Sequence, residues 1–179
     1  MQTLAAIGHQ RVVRAFDDRP LPPGVVTTIL EAGRRAGSSK NLQRWAFITV
    51  TDRATLEALS KVGRWCGHLA GATMAIALVT PDPRAAVAPL SLMWDLGRAA
   101  QNMTLAAWDL GVGSCPATVY QQDACRAALG YPADHHCEII LSLGYPADPT
   151  DLTRPLTAGG RHDLASMSHQ ERWGSPDRG

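Results

Sequence analysis

The sequence predicts a layered domain of the α/β or α+β class, because short apolar runs alternate with segments of helical periodicity. Residues 45–51, 73–80 and 137–143 have the length and composition of buried strands. Between the second and third of these runs, apolar residues repeat at helical spacing from position 92 to position 110. A sheet and a long helix bury their apolar faces by packing as layers, so we expect a sandwich.

Shorter helices are predicted from their start and stop residues. Pro22 and Pro23 suit the first turn of a helix, and Gly37 is a natural stop. Asp52 can cap a further helix, and Gly130 can end another. The helices expected in addition to the long one cover residues 3–10, 22–37, 54–62 and 121–129.

The remaining segments read as connections within one domain that covers residues 1–179. Residues 11–19 form a basic loop, and residues 114–118 follow the long helix on a turn loosened by glycines. Residues 145–179 form an extended tail, rich in proline and glycine, that can cross to a partner subunit. The long helix is alanine-rich on more than one side, so we expect it at the centre of the core or of a dimer interface.

Composition excludes several classes of protein. The chain has 179 residues, 45% hydrophobic and 18% charged, with a net charge of +1. This balance is globular and creates no strong field for nucleic acid or an anionic membrane. No run approaches the roughly 20 apolar residues that span a bilayer, and residues 1–10 lack a signal-peptide pattern. We therefore expect a cytoplasmic protein with no nucleic-acid or membrane partner.

Common catalytic motifs do not fit. Gly111 and Gly113 follow a helix and lack the third glycine of a dinucleotide fingerprint. His135, His136 and Glu138 are better explained as a solvated loop than as metal ligands, so no metal site is expected. No carboxylate pair suggests acid–base work. The cysteines form no CxxC pair and are expected to be buried thiols, at Cys66, Cys115, Cys125 and Cys137.

Once these motifs are excluded, the remaining candidates for a binding site are cationic and amide side chains on loops. Arg11, Arg14 and Arg161 suit a phosphate, because a guanidinium stays charged and donates parallel hydrogen bonds. The amides and hydroxyls of one loop suit the edge of a flavin ring, which alternates donors and acceptors; they belong to Ser38, Ser39, Asn41 and Gln43. From the residues alone, the chain is an α/β domain with an anion site.

The order of these segments resembles the nitroreductase family of flavoproteins. Residues 10–16 read QRVVRAF, similar to the family's Arg-Arg-Ser-x-Arg-x-Phe. Residues 37–45 read GSSKNLQRW, similar to Pro-Ser-x-x-Asn-x-Gln-Pro-Trp. Residues 95–102 read DLGRAAQN, similar to Asp-x-Gly-x-Ala-x-Gln-Asn. Gln10, Val12 and Arg44 depart from these patterns, in which a basic residue, a serine and a proline stand instead.

The resemblance implies an α+β, three-layer sandwich with a central, mainly antiparallel sheet flanked by helices, in an intertwined homodimer. It implies FMN as the cofactor, with Arg11, Arg14 and Arg161 at the phosphate and the pyrimidine side. The loop formed by Ser38, Ser39, Asn41 and Gln43 would reach the flavin from the other subunit. The backbone of Pro116, Ala117 and Thr118 would face the reactive ring nitrogen.

The function implied is an FMN-dependent oxidoreductase. It passes electrons from NAD(P)H through the flavin to a nitro, quinone or related small-molecule acceptor, by a ping-pong mechanism. The chemistry belongs to the flavin, so no catalytic side chain is expected; Arg14 is the candidate cation beside the reduced ring. A deazaflavin-linked or metabolite-tailoring oxidoreductase of the same fold remains an alternative. A non-catalytic flavin-binding protein is the alternative from another class, and a cofactor-free structural protein comes last.

Overall fold

The computed structural model describes residues 3–154 and 160–174. The α-helices are α1 Thr3–His9, α2 Pro23–Arg34, α3 Arg53–Leu59, α4 Ser91–Asp109, α5 Gln122–Leu129 and α6 Leu164–Met167. The strands are β1 Ala46–Val50, β2 Met74–Pro81, β3 Gly113–Thr118 and β4 His135–Gly144. Short 3-10 turns occur at Ser39–Asn41, Gly67–Gly71 and Pro149–Leu152. Each strand and helix predicted from the sequence is present, with ends that differ by a few residues.

The four strands form one antiparallel sheet in the order β1-β2-β4-β3. The longest pairing joins β2 to β4, from Met74 opposite Leu143 to Pro81 opposite His135, with an irregularity between Leu78 and Val79. Strand β2 is apolar without alternation because both faces of the sheet are covered there. The predicted antiparallel sheet is therefore confirmed.

Helices cover both faces of the sheet and produce three layers. On one face, α3, α5 and the turn Gly67–Gly71 pack against Ala75, Ala77 and Val79 of β2. On the other face, α2 and α4 pack against Met74, Ile76 and Leu78. Successive side chains of a strand point to opposite faces, so β2 supplies both cores. The three-layer sandwich is confirmed.

Strand β3 corrects one prediction. Residues 114–118 were expected in a turn, but Gly113–Thr118 forms the edge strand beside β4. Its sequence, GSCPAT, contains a proline and only one β-branched residue, so it gives a weak strand signal. Proline has no N–H group to donate to a neighbouring strand, so it is tolerated in an edge strand, which is where Pro116 lies.

Helix α4 buries one side against the sheet and α2. Its buried residues include Leu96, Ala99 and Met103. The opposite side is open in the protomer, where Trp94 is 68% exposed and Arg98 and Gln101 are also exposed. In the protomer this helix is therefore buried on one side and open on the other, and the expectation that a second subunit covers the open side stays a prediction.

Two smaller predictions are confirmed. The side chain of Asp52 accepts a hydrogen bond from the Thr55 amide at 2.8 Å and so caps α3. The four cysteines are buried, free thiols. Within residues 3–154 and 160–174, no helix is long and apolar enough to cross a membrane.

Candidate active site

The basic segment, residues 11–16, lies as an extended chain against the open side of β3 and the end of β4. The Val13 amide donates to the Ser114 carbonyl at 2.9 Å. Further along, the Ala147 amide donates to Ala15 and the Asp17 amide donates to Tyr145. These backbone bonds fix the positions from which the side chains of Arg11 and Arg14 project, because both residues lie within or beside the paired stretch.

Two glycines allow this close approach. A Cβ atom at Gly113 would lie 2.7 Å from the Val13 Cβ, and one at Gly144 would lie 2.9 Å from the Phe16 Cβ. Real Cβ atoms do not approach so closely, so any larger residue at either position would push the basic segment off the sheet. Gly113 and Gly144 therefore position the arginines without touching them.

A cavity of about 480 Å³ opens beside β3; we call it the β3 cavity. Trp65 at its rim is 68% exposed, and the Arg64 guanidinium lies 4.9 Å from the Trp65 ring centroid. Burial raises the pKa of the Cys115 thiol, although the charge of Arg14 opposes this, so the thiol stays protonated. The residues that line the cavity are Arg14, Arg64, Trp65, Gly67, His68, Cys115 and Pro116.

His68 is the histidine of the β3 cavity, and it is held by β4. Its Nδ1 atom lies 2.7 Å from the Ser142 hydroxyl, which donates to the Cys115 carbonyl at 3.3 Å. Its Nε2 atom is buried and has no hydrogen-bond partner among the described residues. Burial lowers the pKa of His68, and the nearby charge of Arg14 lowers it further, so the ring is neutral at neutral pH.

A second cavity, of about 630 Å³, lies at the start of the basic segment; we call it the arginine cavity. Arg11 and Arg161 supply its positive charge. Gln10 and Val12 line it where the family pattern has a basic residue and a serine. The other lining residues are Ile7, Gly8 and Gly160.

The polar loop, residues 38–43, is held by the start of α4. The Ser39 amide donates to the Asp95 carboxylate at 2.9 Å, and Arg98 donates to the Gly37 carbonyl at 3.2 Å. Asp95 and Arg98 both belong to the DLGRAAQN stretch. Within the loop, left-handed φ angles of 52°, 55° and 47° occur at Lys40, Asn41 and Gln43. Such angles cost energy in non-glycine residues and are concentrated at functional sites.

The structure brings some predicted site residues together and keeps others apart. Arg11 joins Arg161 in the arginine cavity, and Arg14 joins Pro116 in the β3 cavity. Thr118 is exposed, whereas the Ala117 side chain is buried in the core, so only its backbone is available. The loop residues line neither cavity of the same protomer; they are Ser38, Ser39, Asn41 and Gln43.

Sequence reasoning missed three residues of the β3 cavity, namely Arg64, Trp65 and His68. They lie between α3 and β2 in a short stretch with two glycines, RWCGHLAG. The signal was the concentration of cationic, aromatic and imidazole side chains in a segment that forms neither a long helix nor a strand. Such segments carry binding residues more often than core elements do.

The chain belongs to the nitroreductase family, whose model matches residues 7–145. Membership of this family, together with the names of its relatives, identifies the protein as an oxidoreductase. A protein from Archaeoglobus fulgidus, described as an NADH dehydrogenase/NAD(P)H nitroreductase, is 34% identical over 178 residues. The match covers 96% of this chain and 99% of that protein.

Solved structures agree with this assignment. A protein of the same description from Parabacteroides distasonis superposes with a TM-score of 0.82 at 26% identity, covering 97% of this chain and 99% of that one. An FMN-dependent nitroreductase from Clostridium difficile superposes with a TM-score of 0.74 at 27% identity, covering 82% and 88%. The fold predicted from the resemblance is thus the fold of these relatives.

Proposed function

We propose that the protein binds FMN and transfers electrons from NAD(P)H to a nitro, quinone or related acceptor by a ping-pong mechanism. The observation that carries the proposal is the course of the basic segment past two cavities. Arg11 lines one cavity and Arg14 lines the other. Three extended residues span roughly 10 Å, a distance comparable to a ribityl chain with its terminal phosphate.

The arginine cavity fits a phosphate group. Arg11 and Arg161 offer guanidinium donors, and no carboxylate occurs among the described residues that line the cavity. Gln10 contributes an amide but no charge, and the Val12 side chain contributes no donor. We therefore expect phosphate binding to depend on the two arginines, so that removing either one lowers the affinity strongly.

The β3 cavity fits the ring of a flavin. Arg14 and Arg64 are donors that line it, and the Nε2 atom of His68 has no hydrogen-bond partner among the residues that the structure describes. When bound, a flavin accepts hydride from a reduced nicotinamide and gives electrons to the acceptor. Arg14 contributes a fixed positive charge beside negative charge that develops in the cavity.

Spectroscopy of the purified protein and FMN titration test the cofactor. We expect yellow protein, or quenching of FMN fluorescence at micromolar concentration. Arg11→Ala and Arg161→Ala should each weaken FMN binding by about 10-fold to 150-fold, since a hydrogen bond to a charged group contributes about 1.5–3 kcal/mol. Riboflavin, which lacks the phosphate, should be nearly insensitive to Arg161→Ala.

A matched control is Arg84→Ala, which removes an exposed arginine paired with Asp82 and outside both cavities. It should leave FMN affinity unchanged. Colourless protein without quenching would refute the flavin, and equal losses for FMN and riboflavin would refute the phosphate assignment of Arg161. Higher salt should shrink the losses, because screening weakens the arginine–phosphate attraction that each substitution removes.

Steady-state kinetics test the mechanism. With NADH or NADPH varied at several fixed concentrations of a quinone or nitroaromatic, a ping-pong mechanism gives parallel double-reciprocal lines. Intersecting lines would exclude it. A flavin-loaded protein that no acceptor reoxidises would favour the non-catalytic alternative, which is supported by the uncharged Gln10 and Val12 in the arginine cavity.

We also propose that the flavin site is shared between two subunits of a homodimer. In support, the polar loop lines neither cavity of its own protomer, and the open side of α4 beside it exposes Trp94. Strained backbone is concentrated at functional sites such as those that hold a ligand, so a role for this loop in a neighbouring subunit's site accounts for its strain. The loop of one subunit would then complete the cavities of the other.

Refolding a mixture of two variants tests the shared site. One variant carries Arg11→Ala and Arg14→Ala, and the other carries Ser39→Ala and Asn41→Ala. Each homodimer should bind FMN poorly. A mixed dimer contains one intact site if the site is shared, so mixing should restore binding up to half occupancy. Mixed dimers confirmed by mass but without recovery would show that each site lies within one subunit.

A further inference from the structure

The arginine cavity is larger than a phosphate group requires. Its volume, about 630 Å³, exceeds that of the β3 cavity, about 480 Å³, which has been matched to the ring of a flavin. Pockets that hold a whole small-molecule ligand measure about 300–1,000 Å³. A phosphate is one phosphorus atom with its oxygens, so it leaves most of the arginine cavity unfilled.

The unfilled part has an apolar wall. Ile7 is 56% exposed and Val12 is 40% exposed, and both side chains line the cavity. Beside them, nothing lies within 4 Å of a Cβ at Gly8, so the wall is open at that point. Apolar side chains grouped in a concave site with a few polar groups are typical of ligand pockets. Two arginines beside such a wall suit a ligand that carries phosphates and an apolar, planar group.

The departures from the family pattern affect the same wall. Gln10 and Val12 stand where that pattern has a basic residue and a serine, which are donors suited to a terminal phosphate. A terminal phosphate carries a charge of about −1.5 to −2 at pH 7, whereas each phosphate of a diester-linked pair carries a single charge. The chain has therefore less positive charge for a terminal phosphate and more apolar surface for a group beyond it.

We infer that the arginine cavity accepts the AMP half of a flavin dinucleotide, so that the chain binds FAD at least as tightly as FMN. Arg11 and Arg161 supply one positive charge for each of the two phosphates, and the adenine ring covers Ile7 and Val12. The inference rests on the proposed flavin site and extends its ligand from a mononucleotide to a dinucleotide. The flavin ring keeps its place in the β3 cavity, so the redox chemistry is unchanged.

Competition between the two flavins provides the test. The protein is incubated with equal, excess concentrations of FMN and FAD, unbound flavin is removed by rapid filtration, and the bound flavins are released and separated by chromatography. We expect the wild-type chain to hold FAD and FMN in a ratio of about one or higher. Ile7→Ser and Val12→Ser should each lower this ratio by about threefold to tenfold, because each removes apolar surface that the adenine ring covers. Ile7→Ser should leave the affinity for FMN alone unchanged.

Leu4→Ser is the matched control, because Leu4 is an exposed apolar residue of the same helix, α1, but does not line the cavity. It should leave the ratio unchanged. A wild-type chain that holds FMN in tenfold excess would overturn the inference and leave the proposed function intact. A ratio unchanged in both Ile7→Ser and Val12→Ser would overturn it as well.

Two other occupants of the wall give different results. If the adenosine part of NAD(P)H lies there, Ile7→Ser should raise the KM for the reduced nicotinamide without changing the flavin ratio. If a second subunit covers the wall, Ile7→Ser should lower the mass of the assembly and weaken both flavins equally. Either result would overturn the inference. Binding of neither flavin by the wild-type chain would refute the proposed function together with it.

Discussion

Gly113→Ala should detach the basic segment from the sheet although position 113 contacts no ligand. The new Cβ would lie 2.7 Å from the Val13 Cβ and 2.9 Å from its Cγ1. Val13 is 1% exposed and its Cβ is attached directly to the backbone, so the whole segment must move. Overpacking of this kind costs about 1–3 kcal/mol, and the Val13–Ser114 hydrogen bond adds about 0.5–1.5 kcal/mol if it is broken.

The combined loss, about 1.5–4.5 kcal/mol, corresponds to a fall in Tm of about 3–18 °C for a chain of this size. Because Arg11 and Arg14 stand on either side of Val13, FMN affinity should fall by about tenfold or more. Thermal unfolding followed by circular dichroism and FMN titration measure the two effects.

Gly24→Ala is the matched control, because nothing lies within 4 Å of a Cβ at that position in α2. It should leave FMN affinity unchanged and raise Tm slightly, since alanine is the better helix former. A Gly113→Ala variant with the Tm and the FMN affinity of wild type would refute the positioning role of the glycine.

Three further changes have defined outcomes. Asp95→Ala removes the carboxylate that accepts from the Ser39 amide, so trypsin should cleave after Lys40 at least about tenfold faster; an unchanged rate would show that this bond does not hold the loop. Asp52→Ala should lower Tm by a few degrees at pH 7, because it removes the cap of α3. Hydrogen bonds from Thr55 lower the pKa of Asp52 below 3.8, so the wild type loses the cap as the pH falls through the folded pKa, and the difference in Tm between the two proteins should vanish in acid. The folded pKa of His68 lies below 6.5, so stability is complete above pH 6.5 and declines as the pH falls through the folded pKa; His68→Gln should flatten this decline in urea unfolding, and an equal slope would contradict it.

The central strands and helices could be predicted from sequence because the spacing of their apolar residues reflects which of their sides are buried. Strand β2 is covered on both sides, so its sequence is a continuous apolar run. Helix α4 packs on one side against the sheet, so its core residues repeat at helical spacing. Strand β3 was missed because an edge strand tolerates the glycine and the proline that usually indicate a turn.

Residues of the candidate site could be proposed from sequence where charge identifies them, but not where their role depends on tertiary neighbours. Arg11 and Arg161 were recognised as phosphate candidates, and the fold places them in one cavity. Nothing in the sequence around His68 shows that Ser142, 74 positions away, fixes its ring. A histidine becomes informative only when its two nitrogens are assigned partners, and this requires coordinates.

Because residues 11–16 are paired with β3 and β4, the position of the candidate site and its affinity for a ligand depend on different groups of atoms. The bonds that hold the segment are made by main-chain atoms, and the space they need is provided by Gly113 and Gly144. Side chains at positions 10 and 12 can therefore change without moving Arg11 or Arg14. If FMN binds here as proposed, its affinity can change by substitution at these positions while the place at which it binds stays the same.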